Sequence, residues 1–186
     1  MTILADLADP KAPARVFDAV GDRGALVICH THFQPGGILE CTPEELDRHL
    51  AVNVRATLLL VAEFARRRSG PGRIVTFTSG PPLPGEIAYA ASKGAVEWIT
   101  LTAAVELAPL GVTVNAIDPG PTQTGWMNAE VREYVRRSTP LGRVGSPEDA
   151  AELVAFLCSA EAGWITGEVI RSDGGFGLIR TRPRGR

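Results

Sequence analysis

The sequence predicts a single α/β domain built around a doubly wound parallel sheet. Short apolar segments at residues 25–29, 73–78 and 112–117 are rich in β-branched side chains and do not alternate with polar residues, as expected for strands covered on both faces. Amphipathic stretches of helical periodicity separate these segments, which is typical of helices packed on both faces of a parallel sheet. With 186 residues, 45% of them hydrophobic, the chain is long enough to bury one core.

The first elements can be placed from their end signals. Asp9 and Pro10 supply an N-cap and a first helical residue, and Gly21 marks the end of that helix. The strand at residues 25–29 follows. A Thr-Pro-Glu-Glu capping box then predicts a long helix over residues 42–66.

The remaining elements continue the alternation of strand and helix. In chain order they are a strand at 73–78, a Gly/Pro-rich loop, a helix at about 89–108, a strand at 112–117, a loop at 118–127, a partly helical stretch at 130–137, a capped helix at 146–157 and a short strand at 167–170. We expect residues 1–179 to form the domain and the Arg-, Pro- and Gly-rich residues 180–186 to form a basic disordered tail.

Charge and composition narrow the range of partners. Lys and Arg number 19 against 21 Asp and Glu, so nothing attracts the chain as a whole to nucleic acid or to an anionic membrane. No apolar run approaches the ~20 residues of a membrane span. Three cysteines without a C-x-x-C pair favour a reducing cytoplasm. We therefore expect a cytoplasmic protein that acts on a small molecule.

Tyr89 and Lys93 lie four residues apart and therefore on the same face of one helix. An ammonium beside a phenol lowers the pKa of tyrosine from about 10, which would make Tyr89 a general acid or base. An ordinary surface pair is the alternative. Ser79 follows the preceding strand, and Asn53 lies among apolar neighbours in a helix, where its amide needs a partner.

These four residues resemble the N, S, Y-x-x-x-K tetrad of the short-chain dehydrogenase/reductase (SDR) family. Further resemblances follow in order along the chain: residues 115–124 are similar to the family's loop over the nicotinamide, residues 142–149 to its G-R-x-G-x-P-E-D segment, and residues 173–175 to its C-terminal D-G-G signature. The resemblance implies a Rossmann-like sheet, a nicotinamide dinucleotide, NAD or NADP, and a homo-oligomer, a dimer or tetramer, paired through long helices that carry apolar stretches at residues 58–61 and 98–99.

The resemblance also implies roles for single residues. Tyr89 would exchange a proton with the substrate, Ser79 would orient the substrate oxygen, and Asn53 would hold a relay water. Lys93 would tune Tyr89 and touch the nicotinamide ribose. The residues expected to contact the cofactor are Asp6, Tyr89, Lys93, Pro119, Gly120, Thr122 and Thr124.

The sequence departs from the family in its N-terminal part. It contains no G-x-x-x-G-x-G turn, and alignment on the family's elements leaves two βα units, on the order of 60 residues, unmatched. Residues 3–6 would then match the third strand, with Asp6 near the adenine. The strand at residues 25–29 would be an edge strand, covered by residues 2–6, a loop or another subunit.

Two further departures lie closer to the site. Residues 28–31 read Ile-Cys-His-Thr where the family has Asn-Asn-Ala-Gly, and Ser79 precedes Tyr89 by ten residues, three fewer than usual, with Pro81, Pro82 and Pro84 between them. Because the phosphate-binding turn is missing, we expect dinucleotide binding to be weak or absent.

His30 and His32 stand beside Cys29, a grouping that could attract a metal ion. Two loop histidines without firm third and fourth ligands make a weak site. No metal site is therefore predicted, and His30 is expected to satisfy local hydrogen bonds.

The tetrad favours an SDR-type oxidoreductase that acts on a carbonyl or secondary alcohol of a small molecule. Two alternatives remain open from the sequence. One is a cofactor-independent acid/base enzyme on the same scaffold, such as an isomerase, dehydratase or cyclase. The other is a non-catalytic binding subunit.

Overall fold

The computed structural model describes residues 1–80 and 83–181. Its elements are, in chain order, α1 (Ala12–Val20), β1 (Ala25–Ile28), α2 (Pro43–His49), a π-helical segment (Leu50–Arg55), α3 (Ala56–Arg67), β2 (Gly72–Phe77), α4 (Ile87–Leu107), a 3-10 turn (Ala108–Leu110), β3 (Val112–Asp118), α5 (Ala129–Ser138), α6 (Pro147–Leu157), β4 (Val169–Arg171) and α7 (Phe176–Thr181). The three apolar strands lie within one residue of their predicted bounds.

The four strands form one parallel sheet in the order β1-β2-β3-β4. Successive side chains of a strand point to opposite faces, and both faces of this sheet are covered. Ile74 of β2 packs with Phe17 of α1 and Phe64 of α3 in one core cluster. Its neighbour Val75 packs with Leu157 of α6 in another. The predicted doubly wound, Rossmann-like α/β fold is confirmed.

Strand β1 lies at the edge of the sheet and pairs only with β2 among the described residues. Val27 is 39% exposed, so the prediction that this strand is covered on both faces is wrong. The reason is that Leu26 and Ile28 pack into the core cluster on one face, whereas Val27 points to the other face and joins no core cluster of the described residues. Its edge position, in contrast, is confirmed.

The N-terminal segment does not pair with this edge. Residues 1–6 form no strand, contrary to the prediction for residues 3–6, and Leu4 is fully exposed. The chain turns at Asp6 instead, whose carbonyl accepts the Asp9 N–H at 3.1 Å.

Helix α1 begins two residues later than predicted. Lys11, not Asp9, occupies the N-cap position, because the Asp9 carboxylate accepts the Lys11 N–H at 2.9 Å and closes a turn ahead of the helix. The predicted end at Gly21 is correct, since Gly21 adopts φ +67° and donates its N–H to Phe17 O.

The predicted long helix is continuous but changes its pitch. Thr42 Oγ1 caps its start by accepting the Glu45 N–H at 3.3 Å. A wide π-helical segment at Leu50–Arg55 then separates α2 from α3. Such segments are frequent at functional sites, and this one carries Asn53.

The C-terminal helix α7 ends at Thr181, so residues 180 and 181, which were predicted to be in the tail, are helical. Residues 182–186 of that tail, like Pro81 and Pro82 of the loop after β2, lie outside the described residues. Within the described part of the chain, no helix combines the length and the hydropathy of a membrane span.

Apolar side chains are exposed on the outer faces of α3 and α4. Leu58 is 51% exposed, Trp98 72% and Val105 76%. A groove of about 380 Å³ lies between the two helices and includes Leu58 and Trp98 in its walls. Of the apolar stretch at residues 58–61, Leu60 and Val61 belong to the core instead.

Candidate active site

A cavity of about 710 Å³ opens at the end of the sheet where β2 and β3 terminate. This is where doubly wound sheets bind their ligands. Three of the four predicted catalytic residues, Ser79, Tyr89 and Lys93, line it, together with Asp118 and Arg171. The fold therefore brings together residues from a loop, a helix and two strands.

Tyr89 lies in the first turn of α4 with its ring packed edge-to-face against Phe33, the ring centroids 5.0 Å apart. Burial raises the pKa of the Tyr89 phenol above its usual value. Hydrogen bonding to Ser79 acts in the opposite direction, while the negative charge of Asp118 adds a smaller increase. The phenol is therefore held in its protonated form at neutral pH.

Lys93 is 6% exposed and donates from Nζ to the Phe77 carbonyl at 3.0 Å. Its Nζ lies 5.7 Å from the centroid of the Tyr89 ring. Burial lowers the pKa of Lys93 to about 8, against a smaller opposing effect of Cys29. The expectation that Lys93 lowers the pKa of Tyr89 is wrong for this structure, because desolvation of the phenol dominates and Nζ is bonded to a backbone carbonyl.

Asn53 is 1% exposed and lies in the π-helical segment. Its Nδ2 donates to Ser92 Oγ at 2.8 Å and to His32 O at 2.9 Å, and its Oδ1 accepts the His32 N–H at 2.6 Å. Ser92 Oγ in turn donates to Tyr89 O at 2.7 Å. Asn53 thus joins the loop after β1 to α4, and its role in holding a relay water stays a prediction.

The loop after β3 is held close to the C-terminal segment. Gly120 adopts φ +58°, and a Cβ there would lie 2.4 Å from Asp173 Cβ, so only glycine fits. Asp118 Oδ1 accepts the Gly120 N–H at 3.1 Å, and Thr122 Oγ1 donates to Pro119 O at 3.3 Å. The predicted nicotinamide loop is therefore ordered by its own contacts.

Five of the seven predicted cofactor residues do not line the cavity, namely Asp6, Pro119, Gly120, Thr122 and Thr124. Asp6 lies in the irregular N-terminal segment, where its Oδ1 accepts the Ala8 N–H at 2.9 Å. Thr124 is exposed in the loop after β3. Their assignment rests on the resemblance alone.

Sequence reasoning missed Asp118 and Arg171. Asp118 is 4% exposed at the end of β3, and Arg171 Nε lies 3.4 Å from its Oδ2. An acidic residue at the C-terminal end of a buried strand was the available signal, since a buried carboxylate needs a positive or hydrogen-bonding partner.

The histidines separate in the structure. His30 Nε2 lies 2.8 Å from Val52 O, consistent with the expected hydrogen-bonding role. His32 instead stands beside Glu45 and His49, a grouping that spans 18 positions and was not predicted. The signal was the spacing of four between Glu45 and His49 in a helix.

A sequence profile of a family described as enoyl-(acyl carrier protein) reductase matches residues 2–177. The solved structure of a short-chain dehydrogenase/reductase from Serratia marcescens is 34% identical, with a TM-score of 0.86 over 94% of this chain and 76% of that one. The chain belongs to the short-chain dehydrogenase/reductase family. The matched residues 2–177 include the residues that resemble the tetrad, the nicotinamide loop and the C-terminal signature.

Other SDR relatives carry functional names. The uncharacterized oxidoreductase YjdA of Bacillus subtilis is 44% identical over 182 residues, which are 92% of this chain and 72% of that one. The angucycline C-6 ketoreductase LanV, solved with bound NADP, is 33% identical with a TM-score of 0.89 and covers 96% of this chain and 76% of LanV. The SDR relatives support an oxidoreductase and do not favour the two alternative classes.

Proposed function

We propose that this chain reduces a ketone of a small molecule to a secondary alcohol, or catalyses the reverse oxidation, with a nicotinamide dinucleotide. The observation that carries the proposal is the position of the Tyr89 phenol. It lines the cavity together with Ser79, and Lys93 Nζ lies 5.7 Å from the centroid of its ring. The ketoreductase name of LanV supports a ketone as the substrate class.

Tyr89 acts as the proton donor in this proposal. Because burial raises its pKa, the phenol carries its proton at neutral pH, which is the state that a general acid needs for carbonyl reduction. Ser79 orients the substrate oxygen towards Tyr89, and Asn53 holds the start of α4 in place through Ser92. The dinucleotide, when bound, supplies the hydride. Lys93 then contributes a donor close to the ring of Tyr89.

The residues present fit the nicotinamide end of a dinucleotide. Gln123 Oε1 is buried and has no hydrogen-bond partner among the described residues, so it offers an acceptor for a carboxamide N–H. The residues that would hold the nicotinamide and its ribose are Tyr89, Lys93, Pro119, Gly120, Thr122 and Thr124. Asp6 would contact the adenine end.

The same chain is poorly equipped for the pyrophosphate. Its 186 residues contain no G-x-x-x-G-x-G turn, which would supply backbone N–H groups and a helix N-terminus to the phosphates. We expect dissociation constants for NADH and NADPH well above about 1 μM, as measured by tryptophan fluorescence. Submicromolar binding would contradict this expectation.

The test of the function exploits the two tyrosines of the chain, Tyr89 and Tyr134. At millimolar NADPH and with a panel of aryl and alkyl ketones, Tyr89→Phe should lower kcat at least about 100-fold. Tyr134→Phe is the matched control, because Tyr134 is 57% exposed on α5, and it should retain kcat. Turnover that persists in Tyr89→Phe would refute the assignment of Tyr89.

We further propose a cytoplasmic location and no nucleic-acid or membrane partner. The support is the near-neutral balance of charge and three cysteines that are all free. Cell fractionation of the untagged protein tests the location, and recovery with the membrane or periplasmic fraction would contradict it.

A further inference from the structure

His32, Glu45 and His49 form a compact cluster outside the catalytic cavity. Each contributes one potential metal-ligand atom, and the three atoms lie within 4.8 Å of one another. Glu45 and His49 are one helical turn apart on α2. His32 comes from the loop after β1, where Asn53 binds both its backbone N–H and its carbonyl.

The distances in the cluster are close to those of a metal site. His32 Nε2 lies 3.1 Å from Glu45 Oε2, and the His32 and His49 ring centroids are 4.5 Å apart. Ligand bonds of about 2.1 Å in a tetrahedral zinc site place the ligand atoms about 3.4 Å from one another. The largest separation of 4.8 Å would have to shrink by about 1.4 Å to reach this spacing, which is within reach of side-chain rotation.

Two hydrogen bonds fix the tautomer of His49. The Gln34 N–H donates to His49 Nε2 at 3.3 Å, so Nε2 holds the lone pair and Nδ1 carries the proton. Nδ1–H donates to Glu45 O at 2.7 Å. Metal-ligating histidines usually donate their second ring N–H in this way. An ion would bind Nε2 in place of the long bond from Gln34, while Nδ1, which lies 3.9 Å from Glu45 Oε2, would keep its proton.

The three side chains also differ usefully in exposure. His49 is fully buried, which holds one ligand rigid, whereas Glu45 is 43% and His32 21% exposed in their side chains. The exposed pair gives an ion a route in from solvent. The Glu45 carboxylate supplies one negative charge against the charge of the ion.

We propose that His32, Glu45 and His49 bind a divalent transition-metal ion of the zinc type, with water as the fourth ligand. Two imidazoles and one carboxylate suit zinc better than magnesium or calcium, which prefer oxygen ligands. This site differs from the Cys29, His30 and His32 grouping considered from the sequence. The bound ion joins the loop after β1 to α2, and through Phe33, which packs on Tyr89, it steadies one wall of the active site.

The experiment uses the full chain without an affinity tag, treated with a chelator and then dialysed. Zn²⁺ binding is measured by competition with a chromophoric chelator, and the change in Tm is recorded with Zn²⁺ and with Mg²⁺. We expect one Zn²⁺ per chain at micromolar or tighter affinity, a rise in Tm with Zn²⁺ alone, and at least a tenfold loss of affinity in His32→Ala and in Glu45→Gln.

Cys29→Ser and His30→Gln are the controls, because both residues neighbour His32 in sequence but lie outside the cluster. They should keep Zn²⁺ affinity within about twofold. Circular dichroism of each variant separates loss of binding from loss of folding, and the two exposed ligands are chosen because truncation of buried His49 disturbs packing. The proposal is overturned if the chain binds no Zn²⁺ at about 100 μM. It is also overturned if His32→Ala and Glu45→Gln both retain binding, or if Cys29→Ser loses it. None of these readouts depends on dinucleotide turnover.

Discussion

The Asn53 Nδ2 donates a hydrogen bond to Ser92 Oγ at 2.8 Å, and Ser92 Oγ donates to the carbonyl of Tyr89. Asn53 lies in the π-helical segment, while Ser92 lies in α4 between Tyr89 and Lys93. The wide turn of the π-helical segment therefore has a consequence for the site, since it presents the Asn53 amide to both the loop after β1 and α4.

Asn53→Ala should destabilise the protein and also impair catalysis. It leaves the His32 N–H and carbonyl without their partner, which lowers the free energy of unfolding by about 2 kcal/mol. Urea unfolding measures this loss, and kcat should fall because the start of α4 is no longer held. Thr100→Val is the control: its hydroxyl is also buried in α4, but it should lower stability without a comparable loss of kcat. Equal effects of both variants on kcat would show that Asn53 has only a structural role.

Lys93 should make stability depend on pH in the alkaline range. Its folded-state pKa of about 8 is below the ordinary value of 10.5, so the unfolded chain binds more protons between these values. The free energy of unfolding should therefore rise from pH 8 to 10.5, by up to about 3 kcal/mol relative to Lys93→Met. Lys11→Met, which changes the only other lysine, an exposed one, should follow the parent protein. A pH-independent difference between Lys93→Met and the parent would contradict the prediction.

The exposed apolar faces of α3 and α4 should mediate self-association. We expect light scattering to give a dimer or tetramer at micromolar concentration. The reason is that Leu58 and Trp98 are exposed apolar side chains that line the same groove, and contiguous apolar surface of this kind marks sites of protein association. Trp98→Glu should shift the mass towards the monomer, whereas Tyr134→Glu on α5 should not. If the parent protein is monomeric, the prediction is wrong and these side chains are exposed to solvent.

The open edge of β1 should promote aggregation of this chain. An apolar edge strand offers unpaired N–H and C=O groups to another chain, and residues 1–6 form no strand beside it. Val27→Lys should slow the growth of turbidity on mild heating. Ile38→Lys introduces the same charge at an exposed loop position and serves as the control. The same delay in both variants would mean that net charge, not the edge, governs aggregation.

The sequence by itself determined the order of strands and helices, because β-branched apolar runs and capped amphipathic stretches are local signals. Gly21 ends α1 and Thr42 starts α2 as predicted, since each acts on its own few neighbours. The spacing of Tyr89 and Lys93 likewise placed both on one helix. The tetrad pattern predicted three residues that line the cavity. The spacing of these residues in the sequence does not predict how deeply their side chains are buried.

Only the tertiary structure decided the electrostatics and the partners of these residues. Burial of Tyr89 depends on Phe33 and the surrounding chain, and it reversed the direction predicted for the pKa of the phenol. The contacts of Asn53 with His32 and Ser92 join segments 21 and 39 residues away, and His32 meets Glu45 and His49 in the same manner. Desolvation and long-range contacts arise only when distant segments pack together, which is why local sequence patterns did not predict them.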